Sequence, residues 1–260
     1  MENVQENPSQ TGKKPTIDIP PEKIRAMKSR KAAEKVKEGL EKGTSPLLPD
    51  ANGQIKPERI INSATGFPLG GKSLVDALVA KAENGFKSNV VTTFNIANDA
   101  KTGIQKGTHQ AFSVAFVDKK TGVTHDANYF FADQTKDPAK IMDVVNKKGV
   151  NLLNTPNEVL KVNSVDEYMP AFIAASKTGA TVEVSPEIAQ GVKEKLISLA
   201  ETSSKYANQR EENAPTLSNY LFAADQSANK IFSAINAKYG QAQNKEQAQQ
   251  PKKIENTIER

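Results

Sequence analysis

The sequence contains no cysteine and no tryptophan, only two histidines, and 6% aromatic residues. The lack of cysteine excludes disulfides, thiolate metal sites and cysteine nucleophiles. His109 and His125 are too few for the usual histidine-rich zinc site, so we predict neither a metal nor another cofactor. Without tryptophan, any surface that stacks on nucleic-acid bases must be built from phenylalanine or tyrosine.

Long apolar runs are also missing, and the polar first residues do not have the composition of a signal peptide. The charge is mildly basic: 35 Lys and Arg against 30 Asp and Glu give a net charge of +5 and a pI near 9.1. This is far from the charge of a histone-like protein. We expect a soluble cytoplasmic protein of a reducing compartment that does not associate with a membrane.

Composition divides the 260-residue chain into four parts. Residues 1–20 are polar and contain several prolines, and residues 241–260 are charged and of low complexity, so both predict disordered tails. Over 21–138, short apolar runs alternate with glycine-rich turns, whereas 139–240 is a succession of amphipathic helical patterns. The predicted fold class is α+β, with a small α/β domain followed by a separate helical C-terminal region.

Two local predictions are made for the first domain. Residues 111–117 alternate apolar and polar side chains, and a turn at 118–122 leads into 123–131 as the partner strand of a β-hairpin. Ser73 is a suitable N-cap for a helix that Gly85 closes. The predicted apolar face of that helix comprises Leu74, Val75, Leu78, Val79 and Ala82.

Three helical patterns follow in the second half of the chain. One covers 164–177, where Pro170 predicts a kink or a late start. Ser185 and Pro186 open the next, and the last extends from Thr216 to Gly240 with a continuous apolar stripe. Such a stripe favours a core or a partner interface over a cofactor site.

The segment 21–42 carries eight Lys and Arg against four Glu and few apolar residues. Two interpretations remain open for it: a solvated helix face, or a basic arm that follows the phosphates of a nucleic acid.

Residues 66–73, Gly-Phe-Pro-Leu-Gly-Gly-Lys-Ser, match the G-x-x-x-x-G-K-[ST] pattern of phosphate-cradling loops. They precede a predicted helix, and Asp118 ends a strand where a magnesium ligand is expected. Against this, Pro68 has no amide to donate, at most two strand-like residues precede the loop, and the Asp118 strand leads into a hairpin. A nucleotide hydrolase using Gly66–Ser73 is therefore an alternative hypothesis.

The same stretch resembles another family more closely. Residues 62–73, NSATGFPLGGKS, resemble the N-x-x-T-G-x-P-Y-x-G-x-N block of the N-terminal single-stranded-DNA-binding domain of ArdC-type antirestriction proteins. Residues 40–47 are similar to the L-x-x-G-x-x-P-W block of that domain, and Thr93-Phe94 followed by 103–107 to its T-F and G-x-x-V-x-K-G elements. Residues 128–134 are similar to its Y-x-L-F-N-x-x-Q element. The resemblance covers roughly residues 20–138.

Several family residues are replaced here. Leu47 and Val91 stand where the family has tryptophan, Leu69 where it has tyrosine, and Ser73 where it has asparagine. If the family aromatics stack on bases, those contacts are lost in this chain. The H-E-x-x-H helix of the family's metallopeptidase domain is absent from the sequence, so the resemblance is to the DNA-binding domain alone.

The resemblance implies binding of single-stranded DNA through backbone amides, lysines and one aromatic ring. For Phe94 a core position is favoured over a stacking platform. The candidate DNA-binding residues are Asn62, Thr65, Gly66, Gly71, Lys72, Ser73, Thr93, Phe94, Lys101, Lys106 and Gly107.

The leading hypothesis is a non-enzymatic single-stranded-DNA-binding protein of a mobile genetic element, of the antirestriction or conjugation accessory type. One alternative is the nucleotide hydrolase. The other places the function in the helical half, as an interaction module for a DNA-transfer or replication protein.

Overall fold

The computed structural model describes residues 20–118, 120–206 and 216–249. Within them lie seven α-helices: α1 (Pro21–Glu41), α2 (Gly71–Asn84), α3 (Phe94–Asp99), α4 (Pro138–Lys147), α5 (Val165–Thr178), α6 (Pro186–Tyr206) and α7 (Leu217–Gln249). The described strands are β1 (Gln54–Ile55), β2 (Ile61–Asn62), β3 (Val90–Thr93), β4 (Phe112–Val117), β5 (Thr124–Phe131), β6 (Val159–Lys161) and β7 (Thr181–Glu183). This composition confirms the predicted α+β class with a helical C-terminal region.

The strands form two sheets. The larger has the order β2-β3-β5-β4, with β2 and β3 parallel and the other pairs antiparallel. The smaller has the order β1-β7-β6, with β1 antiparallel and β6 parallel to β7. Because α2 connects the parallel strands β2 and β3, its N-terminus follows the turn at the end of β2.

The predicted tails lie mostly outside the described residues, which exclude 1–19 and 250–260. Pro20 directly precedes α1, and α7 continues past Gly240 to Gln249.

The predicted hairpin is confirmed as β4 and β5, paired in register from Phe112–Tyr129 to Val117–Thr124. The rings of Phe112 and Tyr129 stack with their centroids 5.1 Å apart, and Phe112 is buried. Phe116, on the same face and four residues further out, is 49% exposed. The far half of the hairpin therefore projects beyond the core.

The predicted N-cap of α2 is wrong. The helix begins at Gly71, two residues before Ser73, and Gly70 occupies the cap position with an extended backbone. The physical reason is that these glycines allow α7 to approach the start of α2, as described below. Gly85 ends the helix in the left-handed conformation, as predicted. Of the predicted apolar face, Ala82 is exposed and the other four side chains are buried.

Three helices of the second half, α5, α6 and α7, begin within one residue of the predicted patterns, whereas α4 is not among those patterns. α5 contains Pro170 in its interior and starts five residues earlier, at Val165, so the proline does not delay the helix. The apolar stripe of α7 packs mainly against α5, α2 and α6 and is core, with its buried residues being Leu217, Leu221, Ala224, Ala228 and Ile235. Among the described helices, none combines the length and the apolar character that crossing a membrane requires.

One hydrophobic core draws on both halves of the chain. Its fully buried members include Leu40, Leu74, Phe131, Phe172 and Leu221, which belong to α1, α2, β5, α5 and α7. α1 packs along α6, and the smaller sheet joins β1 to β6 and β7. The predicted domain boundary between 138 and 139 therefore separates segments that share a core.

Candidate nucleic-acid interface

A groove of about 700 Å³ opens between α1, α2, the start of β4 and the first turns of α7. Its lining residues come from 25–36, 70–83, 110–115, Asp126 and 218–225. The groove is therefore built from segments of both halves of the chain. Its volume lies in the range of clefts that hold a small ligand or a short segment of a larger one.

α1 presents a row of cations to this groove: Arg25, Lys28, Lys31 and Lys35. Spacings of three and four residues place these side chains on one side of a helix with 3.6 residues per turn. A neighbouring stripe of the same helix is buried and fixes its orientation against α6, through Ala33, Val36 and Leu40.

Carboxylates in the groove partly neutralise this row. Asp126 of β5 pairs with Arg25 at 3.4 Å and with Lys28 at 3.2 Å, and Lys35 pairs with Glu83 of α2. Within the described part of the chain, Lys31 makes no ion pair. Partly exposed pairs of this kind contribute roughly 0.2–1 kcal/mol each, so an incoming anion can replace the carboxylates at small cost.

At the start of α2, two glycines lie against α7. A Cβ at Gly70 would lie 2.3 Å from Oδ1 of Asp225, and one at Gly71 would lie 3.3 Å from the carbonyl oxygen of Leu221. Gly71 also has a φ of 49°, which favours glycine. Lys177 of α5 holds Asp225, with Nζ 2.8 Å from Oδ1. Both glycines are thus explained by helix packing, and a carboxylate of this chain lies at the positive end of α2.

The turn that precedes α2 uses its own amides. The backbone N–H groups of 64, 65 and 66 donate to the side chain or carbonyl of Asn62, that of Phe67 to Thr65 Oγ1, and that of Leu69 to the carbonyl of Ile60. Pro68 has no amide to donate. A phosphate-cradling loop needs such amides free to face the ligand. This geometry therefore weighs against a nucleotide site at Gly66–Ser73.

Lys72 lies in the first turn of α2 and pairs with Asp76 one turn later. The Asp76 side chain is 8% exposed. Burial raises the pKa of its carboxyl, and the ammonium of Lys72 opposes this shift. Lys72 is therefore a groove residue that also neutralises a buried acid of its own helix.

Replacing Lys72 by methionine is expected to lower the free energy of unfolding by about 1–3 kcal/mol at pH 8. At pH 4 the loss should be smaller. A carboxyl with a raised folded pKa contributes stability fully below its unfolded value of about 3.9, and this contribution is lost as the pH rises through the folded pKa. Removing Lys72 raises the folded pKa of Asp76 further and enlarges the loss. Urea unfolding of the wild type and the variant at pH 4, 6 and 8 measures this difference in the free energy of unfolding.

The matched control is Lys72→Met combined with Asp76→Asn, in which the pH dependence of the destabilisation should disappear. If Lys72→Met lowered the free energy of unfolding equally at all three pH values, Lys72 would not act by neutralising the Asp76 carboxylate.

The structure separates the candidate residues of the glycine block. Gly71, Lys72 and Ser73 line the groove, whereas Asn62 ends β2 and Thr65 and Gly66 lie in the turn that follows it. In that turn Gly66 has a φ of 77° and is packed against the side chains at 148 and 150.

Thr93 ends β3, and Phe94 begins α3. Since β2 and β3 are parallel, both residues lie at the same sheet edge as the turn after β2. Phe94 is 55% exposed, so the expectation that it belongs to the core is wrong. The reason is that burial in this segment ends with β3, and within the short α3 only Ala97 is buried.

Lys101, Lys106 and Gly107 lie in the connection from α3 to β4 and are exposed. Hydrogen bonds tie this connection to the residues after β5. In one of them the backbone N–H of Gln105 donates to the backbone carbonyl of Gln134, at 2.9 Å. Because β5 is antiparallel to β3, this is the opposite end of the sheet from the end of β3. These three residues are not brought to the groove.

The three positions at which the ArdC-type motifs have an aromatic residue and this chain an aliphatic one are interior in this chain. Leu47, Leu69 and Val91 are all buried and belong to the main core cluster. A side chain at these positions has no face available to a base. The replacements therefore remove no stacking surface from the exterior of this chain.

Sequence reasoning did not identify the individual α1 cations or Phe222 of α7 as groove residues. Helical spacing within 21–42 could have shown which cations share a face. For Phe222 no local signal exists, because only the fold brings the start of α7 beside α1 and α2.

No protein-family profile matches the chain, and no curated protein matches it. Among solved structures, the chain is similar to the metal-free crystal structure of the antirestriction protein ArdC from plasmid R388, with a TM-score of 0.39 and 14% identity. The similarity covers 77% of this chain and 95% of that chain.

Proposed function

We propose that this protein binds single-stranded DNA in the groove between α1, α2, β4 and α7. It does so without enzymatic chemistry, as an antirestriction or conjugation accessory protein of a mobile genetic element. The observation that carries the proposal is the row of Arg25, Lys28, Lys31 and Lys35 along one wall of an open groove. The motif resemblance over 20–138 supports the DNA class of the ligand.

The geometry of the row fits a phosphate backbone. At about 1.5 Å per residue, the cations from Arg25 to Lys35 extend over about 15 Å, a length that spans several phosphates. Lys72 adds a further cation from the start of α2. Such contacts supply affinity with little sequence preference.

The concave shape favours a single strand over a duplex. Duplex readers generally insert a protruding helix or β-ribbon into the major groove. Here the α1 cations face a groove instead, and single-strand binding proteins characteristically combine a positive groove with aromatic rings.

The test is fluorescence anisotropy with labelled oligothymidine and the full chain. We expect micromolar or tighter binding at low salt, with a negative log–log salt slope equivalent to a few phosphates, at about 0.7 per phosphate for a single strand. Unlabelled duplex and RNA of equal length should compete less well than unlabelled oligothymidine. No binding at low salt, a flat salt dependence, or stronger competition by duplex or RNA would each contradict the proposal.

A further inference from the structure

Among the described residues, the strongly exposed phenylalanines are Phe67, Phe94, Phe116 and Phe222. Of these four, Phe222 is the one that lines the groove. It is also the most exposed of them, at 66%. Leaving a large aromatic ring in water forgoes about 1.5–3 kcal/mol of burial free energy, which a ligand that covers the ring in the groove would recover.

The fold holds Phe222 in the groove through its neighbours on α7. Leu221 is fully buried, which fixes the rotation of the helix about its axis. One turn on, Asp225 is anchored by Lys177 against the start of α2. The ring therefore projects from a helix that is fixed on two sides, and not from a mobile loop.

We propose that Phe222 is a stacking platform for a base of the bound strand, while the α1 cations hold its phosphates. This inference rests on the proposed function and adds the base-contacting residue to it. The chain has no tryptophan. At positions 47, 69 and 91, where the ArdC-type motifs have aromatic residues, it has buried aliphatic ones. α7, from the helical half, then supplies the contact to the bases.

Stacking and phosphate contacts have different signatures, which makes the assignment testable. A base–aromatic stack contributes affinity that does not depend on counterion release, so its loss leaves the salt slope unchanged. It also requires a base, so a strand of abasic sites does not benefit from it.

The experiment compares the full-length protein with Phe222→Ala, using Phe116→Ala as the matched control on the hairpin outside the groove lining. We expect Phe222→Ala to weaken oligothymidine binding about 5- to 100-fold with an unchanged salt slope. It should have no effect on binding of the abasic oligomer. Phe116→Ala should change the affinity for oligothymidine and the affinity for the abasic oligomer by no more than about twofold. Thermal melting confirms that both variants fold.

A second readout is an oligothymidine with one 2-aminopurine, whose fluorescence is quenched on stacking. Quenching should occur with the wild type and be lost with Phe222→Ala. If the wild type binds and Phe222→Ala binds equally well, the stacking assignment is overturned while the proposed function stands. If the wild type does not bind, the proposed function itself is overturned.

Discussion

Replacing Arg25, Lys28, Lys31 and Lys35 together by glutamine is expected to weaken oligothymidine binding on the order of 100-fold at low salt. The four side chains share the wall of the groove and lie on the exposed or half-exposed side of α1. Their loss should lower the log–log salt slope by about three, since each phosphate contact to a single strand contributes about 0.7. Anisotropy titrations at several salt concentrations measure both quantities.

The matched control replaces Lys136, Lys140, Lys147 and Lys148, which are exposed on and beside α4 and do not line the groove. The change in net charge is the same, but binding should weaken by less than about threefold because distant charges are screened. Equal losses in the two variants would mean that only net charge matters, which contradicts a site on α1.

The reverse change tests the same wall. Asp126→Asn removes the carboxylate that Arg25 and Lys28 share, while Arg25 keeps its hydrogen bond to the Thr124 carbonyl. Binding should become several-fold tighter and the salt slope steeper, since a negative charge leaves the groove and Lys28 becomes free for a phosphate. If Asp126→Asn bound oligothymidine more weakly than the wild type, the strand would not lie along this wall of the groove.

A fragment of residues 20–149, expressed alone, is expected not to fold. It keeps every element up to α4 but loses α6 as the partner of α1, β7 as the partner of β1, and α7 as the partner of α2. Leu40 of α1 and Leu74 of α2 are fully buried, and the helices that pack against α1 and α2, namely α6 and α7, would then be missing. Each large side chain left uncovered sacrifices about 1.5–3 kcal/mol, and a whole domain is held by only about 5–15 kcal/mol.

Far-UV circular dichroism with thermal melting tests this outcome. The fragment should show no cooperative transition, whereas the full chain under the same conditions should melt in one. Adding a second fragment of residues 150–260 should restore the transition if both halves complete one core. A cooperative melt of the first fragment alone would support two independent domains.

The elements predicted correctly are those with a signal within a few residues. The hairpin follows from the alternation around Phe112 and Val114 and from the turn before Gly122. Gly85 ends α2 because glycine tolerates its φ of 66°, and Pro186 opens α6 because a first-turn proline loses no hydrogen bond.

The features that could not be predicted depend on distant partners. Ser73 has the chemistry of a cap, yet the helix begins at Gly71 because Leu221 and Asp225 of α7 approach it closely. Phe94 has the hydrophobicity of a core residue, but the strand that precedes it ends the buried segment. The groove is likewise invisible in any local window, because its lining residues come from 25–36 and from 218–225 as well as from α2, β4 and β5 between them.

The wide spacing of these lining residues along the chain has a consequence for synthesis and turnover. A ribosome that has made α1, α2 and the hairpin has made all the cations that line the groove but not the complete groove, because α7 comes last. A nascent or partly degraded chain without α7 therefore lacks one wall of the cleft. Conversely, a bound strand adds its binding free energy to the folded state as a whole, so DNA occupancy should protect both halves from proteolysis together.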